Sequence, residues 1–344
     1  MTALNPKAPE TASPTATPLD RLQEVMAADM TCVNEMIIER MASPVPLIPE
    51  LAGYLIAAGG KRIRPLLTLA ATSLYDGDMA RAQRLATAVE FIHTATLLHD
   101  DVVDESDKRR GQDCANIVFG NEASVLVGDF LFSRAFQLMT EDGSLDVLRI
   151  LSNASAVIAQ GEVLQLSTRN NLDTTMDNYL DVVKGKTAAL FAAACEVGPV
   201  IAGEEKKADK NAAQALCEYG MNLGIAFQIS DDVLDYNSAR EKLGKSVGDD
   251  FREGKMTAPV ILACQKGSAE EKAFWRRTFA DKVQSEEDLK TAQEILAKHN
   301  ALEDGLEIAR AYAAKARLAL AEAPDSELRA LLDDLVDFTV EREY

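Results

Sequence analysis

Two copies of one short pattern constrain this chain more than anything else in it: Asp100-Asp101-Val102-Val103-Asp104 and Asp231-Asp232-Val233-Leu234-Asp235. Each is DDxxD, and each follows an apolar run of helical character, Phe91 to Leu98 in the first case and Leu223 to Ile229 in the second. On a helix, Asp100 and Asp104 stand one turn apart on the same face, with Asp101 beside Asp104. Carboxylates so close repel one another when ionised, and a helix tolerates them only with positive charge among them. A hard divalent cation suits the set, because Mg²⁺ binds through one or two carboxylates, waters and substrate phosphates. With 55 Asp plus Glu in 344 residues, a single DDxxD could arise by chance, but two of identical spacing on apolar stretches are not an accident of composition. The pair predicts several metal ions clamping a diphosphate between two helices.

The rest of the chain is helical in pattern. Apolar residues recur at three- and four-residue spacing near 19–41, 47–58, 64–75, 79–104, 122–139, 145–168, 174–202, 208–236, 256–266, 286–299, 302–322 and 325–341. Thr17 can cap the first helix, with Pro18 in its first position and Asp20 in its first turn; Ser285-Glu286-Glu287-Asp288 reads as another helix start. Nothing reads as a βαβ unit, and no Pro/Gly/Ser linker interrupts 19–344, so the expectation is one all-α domain there. Residues 1–18, rich in Pro, Thr and Ala, read as a disordered tail without the apolar stretch of a signal peptide. No apolar run of about 18 residues is evident, which predicts no membrane span.

The formal net charge of −19 argues against nucleic acid as a partner. It also demands local cations wherever a diphosphate binds. Five scattered cysteines without a CxxC read as reduced thiols of a cytoplasmic protein, not a zinc site. The demanded cations are present. Gly59-Gly60-Lys61-Arg62-Ile63-Arg64-Pro65 places three at a glycine-rich turn opening a helix, where backbone N–H groups and the helix dipole favour an anion. Arg109-Arg110-Gly111 follows the first acidic cluster, and guanidinium forks suit phosphate oxygens. Lys186-Thr187 leads into an apolar run, and Lys245 and Lys255 bracket Asp249-Asp250. His93 lies seven residues before Asp100, in phase with it, and reads as a phosphate contact, whereas His99 reads as structural.

Taken together, GGKRIRP at 59–65, both DDxxD motifs, Arg109-Arg110-Gly111, Lys186-Thr187, Phe227-Gln228 and Lys245 resemble the trans-isoprenyl diphosphate synthases. Within them, the likeness is to the long-chain octaprenyl to decaprenyl synthases, over roughly residues 19–344. The resemblance implies an all-helical bundle around a deep central cavity, usually dimeric, with both acidic motifs at its mouth. It implies two or three Mg²⁺ ions on Asp100, Asp101, Asp104, Asp231, Asp232 and Asp235. Arg109, Lys186 and Lys245 should contact an allylic diphosphate. Lys61, Arg64, His93 and Arg110 should bind the diphosphate of isopentenyl diphosphate. Thr187 and Gln228 should point oxygen dipoles at a developing carbocation, and the released diphosphate should take the proton. It implies a homodimer making a quinone side-chain precursor, with a transient membrane contact for product release.

One position departs from shorter-chain relatives: Gln165, in Gly161-Glu162-Val163-Leu164-Gln165, stands where they carry a metal-supporting Asp. Product length is expected to depend on Ala95 and Thr96, small residues just before the first motif, and on Phe132 and Phe136, which with Met139 share one face of a helix that, the resemblance implies, supplies the cavity floor. A short-chain farnesyl or geranylgeranyl synthase would carry bulky residues at 95–96 or an interrupted motif. A terpene cyclase would lack the GGKR turn. An inactive partner subunit would have lost one acidic motif.

Overall fold

Local caps start the first helix as the sequence predicts. Thr17 accepts the backbone N–H of Asp20 at 3.2 Å, and Asp20 accepts that of Thr17 at 2.9 Å, with Pro18 in the first turn. The computed structural model describes residues 16–57, 59–109, 112–204, 208–237 and 247–341, without the side chains of 57 and 109. Most of the predicted tail, residues 1–15, lies outside the described residues, as do Arg110 and Lys245. Thr17 and Pro18 belong to the helix rather than to the tail.

The helices are α1 (Pro18–Val25), α2 (Ala27–Arg40), α3 (Leu47–Ala57), α4 (Ile63–Ser73), α5 (Met79–Val103), α6 (Ala115–Phe119), α7 (Asn121–Asp142), α8 (Leu145–Thr168), α9 (Met176–Val183), α10 (Ala189–Glu204), α11 (Lys210–Asp235), α12 (Asp249–Glu253), α13 (Ala258–Lys266), α14 (Ala269–Trp275), α15 (Asp288–Lys298), α16 (Ala301–Leu320) and α17 (Glu327–Glu341). The fold is all-α, as expected; among the described residues the only strand pairing is the antiparallel Lys108–Arg109 with Gln112–Asp113. Departures are local. The segment expected at 19–41 breaks at Met26. The helix beginning near 285 opens only at Asp288, because the Asp288 carboxylate accepts the Ser285 N–H at 2.7 Å and pairs with Arg277 at 2.7 Å.

The centre of the bundle is α5, α10 and α11. From Leu85 to Ile92 every residue of α5 is buried, and α10 is buried along most of its length. The continuous helical run Met176–Glu204 is long and apolar enough to cross a membrane, contrary to the expectation from the sequence, but 78% of its most apolar window is buried inside the protein. It is a core helix.

Two features of this core position the site. Between α9 and α10 the chain makes a π-helical turn, Lys184–Ala188, which widens the helix where Lys186 and Thr187 stand. Glycines let neighbouring helices come close there. The Gly185 Cα lies 3.0 Å from where a Gly161 Cβ would be, drawing α8 onto the turn; a Cβ on Gly224 would meet the Ala188 Cα at 2.7 Å, drawing α11 onto the other side.

Candidate active site

Both acidic motifs occupy the last turn of a long helix, α5 and α11. A helix C-terminus already carries about half a negative charge, so carboxylates there are doubly unfavourable without cations. The protein supplies some itself. Lys186 Nζ lies 3.2 Å from Asp100, 2.6 Å from Glu162 and 2.9 Å from the Gln165 oxygen. Arg169 and Lys255 each lie 3.4 Å from Asp104. Burial works against the Lys186 charge, but Asp100 and Glu162 outweigh it and raise its pKa. For Lys255 burial is likewise outweighed, by Asp250, Glu253 and Asp104. Burial, and then the Asp100 charge, push Glu162 up to about 7.

The six aspartates are not equivalent. Asp100 and Asp104 present their carboxylates to the cations just named. Asp101 is buried and lines a different cavity, together with Asp231. Both Asp232 oxygens are engaged: Tyr179 Oη donates to one at 2.6 Å and Gln228 Nε2 to the other at 2.7 Å. Burial pushes Asp232 up to about 7 against these two bonds. Asp235 accepts the backbone N–H groups of Asp249 and Asp250, at 3.3 and 3.0 Å, and so anchors the start of α12. The six aspartates expected to hold metal thus differ in what the protein already bonds to them: cations at Asp100 and Asp104, uncharged donors at Asp232 and Asp235. Thr187 Oγ1 donates to Gln228 Oε1 at 2.8 Å. Lys186, Thr187, Gln228, Tyr179, Asp232 and Lys255 together line a small polar chamber of about 100 Å³.

The glycine-rich turn borders the cavity of Asp101 and Asp231, about 640 Å³, lined also by Lys61, Arg62, Arg64, Glu90 and His93. Arg62 starts α4 in the left-handed region, φ 49°, and pairs with Glu90. Arg64 stacks on Phe191, its guanidinium carbon 4.5 Å from the ring centre, and its Nη1 lies 3.1 Å from His93 Nε2. Arginine only donates, so His93 Nε2 accepts and its proton sits on Nδ1. Burial pulls Arg64 down to about 10, with Glu90 and Asp231 opposing, so it stays charged at neutral pH. Its Nε has no hydrogen-bond partner among the described residues, and a buried guanidinium donor left over suits an anion. His93 shares this cavity with Leu97 and Asp101, not with Asp100 as the helical phase suggested.

Asp100 instead borders an apolar groove of about 610 Å³ between α5, α7 and α8. Each helix gives one stripe: Thr96, His99, Asp100 and Val103; Asp129, Phe132, Ser133 and Phe136; Ser155, Ile158, Ala159, Glu162, Val163 and Leu166. Arg81 bonds Asp142 at 2.9 Å while His99 lies 3.5 Å from Asp129, so α5 and α7 run antiparallel. The groove therefore leads away from Asp100 past Thr96 toward Phe132 and Phe136, whose ring centres are 5.6 Å apart. Ala95 does not line it. It is fully buried in the core, and Thr96 forms the wall in its place. Met139 is buried behind the groove, and Phe136, 39% exposed, stands at its open side.

Sequence reasoning missed Glu162, Tyr179 and Arg169 altogether, and gave Lys255 no partner across the site. Their partners lie 24, 53, 65 and 151 residues away in the chain, and only packing brings them together. The Arg109 backbone is in the hairpin beyond Asp104, and Arg110 and Lys245 are outside the described residues.

Comparison with known proteins decides the family. Residues 45–296 match the family model described as polyprenyl synthetase. The chain is 45% identical to an octaprenyl diphosphate synthase of Escherichia coli, over 94% of this chain and 99% of that protein. It superposes on the crystal structure of a decaprenyl diphosphate synthase from Rhodobacter capsulatus with a TM-score of 0.90 and 53% identity, covering 95% of this chain and all of the other (100%). A polyprenyl synthase from Caulobacter crescentus, complexed with calcium and isoprenyl diphosphate, matches with a TM-score of 0.91 and 50% identity, over 96% and 100% of the two chains. The chain belongs to the polyprenyl synthetase family. It is a prenyltransferase and a long-chain trans-polyprenyl diphosphate synthase.

As a polyprenyl synthetase the chain should hold divalent metal, and its residues fit one. Among the described residues no three carboxylate, histidine or cysteine side chains form a cage on their own. Mg²⁺ does not require one, since it keeps waters and takes substrate phosphates as ligands. Carboxylates at two helix C-termini, with lysine ammonium groups drawn onto Asp100 and Asp104, are the donor set such an ion takes.

Proposed function

We propose that this polyprenyl synthetase adds isopentenyl diphosphate units to an allylic diphosphate with Mg²⁺ and releases an octaprenyl to decaprenyl product. The observation that carries this reading is the placing of Asp100 at the head of an apolar groove, and of Asp101 and Asp231 on a neighbouring cavity that also holds Lys61, Arg62, Arg64 and His93. A reaction joining one diphosphate to another, with a growing hydrocarbon tail, needs those two compartments side by side.

Asp100, Asp104 and Asp231 would hold two or three Mg²⁺ ions. Bound there, Mg²⁺ supplies the positive charge that draws electrons from the allylic C–O bond. Lys186 and Arg109 hold the allylic diphosphate, with Lys245. Lys61, Arg64, His93 and Arg110 hold that of isopentenyl diphosphate, and the buried Arg64 fork orients it. Thr187 and Gln228 turn oxygen dipoles toward the charge that develops on carbon. The isopentenyl double bond attacks, and the departing diphosphate takes the proton. The apolar groove walls pack against the tail, and Thr96, Phe132 and Phe136 limit its length.

The same reading makes the chain a cytoplasmic homodimer in quinone side-chain synthesis, with one domain over 19–344 and transient membrane contact for release. Its five cysteines are free thiols. Val103, Phe136, Val163 and Leu166 are exposed and border one groove, an apolar patch of the kind a partner surface covers. The test is turnover of isopentenyl and farnesyl diphosphate by purified protein, with Mg²⁺ and in excess EDTA. Metal-dependent elongation is expected, and full turnover in EDTA refutes the metal role.

A further inference from the structure

We propose that Tyr179 is a positioning residue for the ionisation step. Through Asp232, its hydroxyl holds the Gln228 side-chain amide with the oxygen turned to Thr187. The inference rests on the reading of the site given above.

A chain of hydrogen bonds crosses three elements. Tyr179 Oη on α9 donates to Asp232 Oδ2 at 2.6 Å; Gln228 Nε2 donates to Asp232 Oδ1 at 2.7 Å; Thr187 Oγ1 donates to Gln228 Oε1 at 2.8 Å. Tyr179, Thr187 and Asp232 are buried, and all four residues line the small polar chamber that Lys186 and Lys255 also border.

An amide can turn about its last torsion and exchange N for O. What opposes that here is the pairing at both ends: the nitrogen donates to Asp232 Oδ1 and the oxygen accepts from Thr187 Oγ1, and a turned amide loses both bonds. Asp232 in turn can stay in that rotamer only while its second oxygen is satisfied, because a buried carboxylate oxygen without a donor is costly. Tyr179 is that donor. The tyrosine is itself fixed, since α9 starts on a capping box in which Thr175 accepts the Asn178 N–H at 3.2 Å. Removing the hydroxyl frees Asp232, then Gln228, and the oxygen dipole no longer has one direction when charge appears on carbon. Neither Tyr179 nor Asp232 needs to touch substrate for this.

Four proteins test it: wild type, Tyr179→Phe, Gln228→Ala and the double variant, assayed with isopentenyl and farnesyl diphosphate and checked by circular dichroism. Tyr179→Phe should lower kcat about tenfold with both KM values and the Mg²⁺ dependence within about twofold of wild type. The double variant should be no slower than Gln228→Ala, because the tyrosine acts only through the amide. Tyrosine replaced by 4-aminophenylalanine keeps a donor and should recover the lost rate. A direct readout separates this inference from the function: in ¹⁵N-labelled protein without substrate, the Gln228 side-chain amide protons should exchange at least tenfold faster in Tyr179→Phe. Unchanged kcat and unchanged exchange, or losses that multiply in the double variant, overturn the proposal. If the Phe variant does not fold, Gln228→Glu decides: it puts an oxygen against Asp232 and should be as slow as Gln228→Ala, and a wild-type rate overturns the proposal. Failure of wild type to elongate farnesyl diphosphate would sink the function reading, while the exchange experiment still answers for Tyr179.

Discussion

Replacing Gly161 by alanine separates the two backbones that bring Lys186 to its carboxylates. A Cβ there would lie 2.5 Å from the Lys186 nitrogen and 2.8 Å from the Gly185 carbonyl carbon, whereas ordinary contact starts at 3.4 Å, so α8 and the π-helical turn must part by 3.4 − 2.5 = 0.9 Å. Both near atoms are backbone, so no side chain can swing aside. Lys186 spans to Glu162, Gln165 and Asp100 at 2.6, 2.9 and 3.2 Å, and a shift of that size breaks at least one of these contacts. Misplacement by about 1 Å costs on the order of a hundredfold in rate. Overpacking costs about 1–3 kcal/mol, offset by roughly 0.5–1 kcal/mol from the better helix former. The expectation is a kcat lowered about 10- to 100-fold and a loss of about 1–2 kcal/mol in urea unfolding. Gly53→Ala is the control, since nothing lies within 4 Å of its Cβ position; it should keep the wild-type rate and unfold no earlier. A Gly161→Ala enzyme with wild-type kcat and urea midpoint would refute the claim that this close approach positions the lysine.

Asp100→Ala and Asp231→Ala should each lower kcat by about two orders of magnitude or more with unchanged circular dichroism; either variant at near-normal rate removes that residue from the metal set. Arg64→Met should raise KM for isopentenyl diphosphate about 10- to 100-fold, the loss of a charge-assisted fork to phosphate, while the KM for the allylic substrate barely moves; the opposite selectivity would mean the two diphosphate sites are exchanged. Thr96→Phe should shorten the product and Phe132→Ala lengthen it, read on a radiolabelled product ladder, whereas Ala95→Phe should cost stability without a length-specific effect because Ala95 is in the core.

What the sequence could tell depended on whether a signal was local. The DDxxD spacing, the Thr17 cap and the glycine-rich turn are each set by neighbours in the chain, and their positions were legible from it. The π-helical turn at Lys184–Ala188 was not, because apolar periodicity runs through it without a break. Short helices such as α6 and α12 offer too few residues for a period to show. The faces of α5 are not legible from the sequence, for a physical reason. Its middle is buried on every side, so hydrophobicity does not mark which residues look into which cavity. Helical phase alone therefore sets His93 with Asp100 and Ala95 on the groove wall, whereas packing turns His93 to the other cavity and Ala95 into the core. The engaged oxygens of Asp232 and Asp235 depend on Tyr179, Gln228 and the Asp249–Asp250 backbone, and nothing in a DDxxD pattern distinguishes its second and fifth positions from its first.

In the proposed function, the groove leading from Asp100 past Thr96 to Phe132 and Phe136 receives a long polyprenyl chain. The most direct measurement of this is the product formed by the purified protein from farnesyl and excess isopentenyl diphosphate with Mg²⁺, resolved by chain length on reversed-phase chromatography. The expected ladder ends at octaprenyl to decaprenyl diphosphate. A reaction that turns over and stops at the geranylgeranyl product would contradict it.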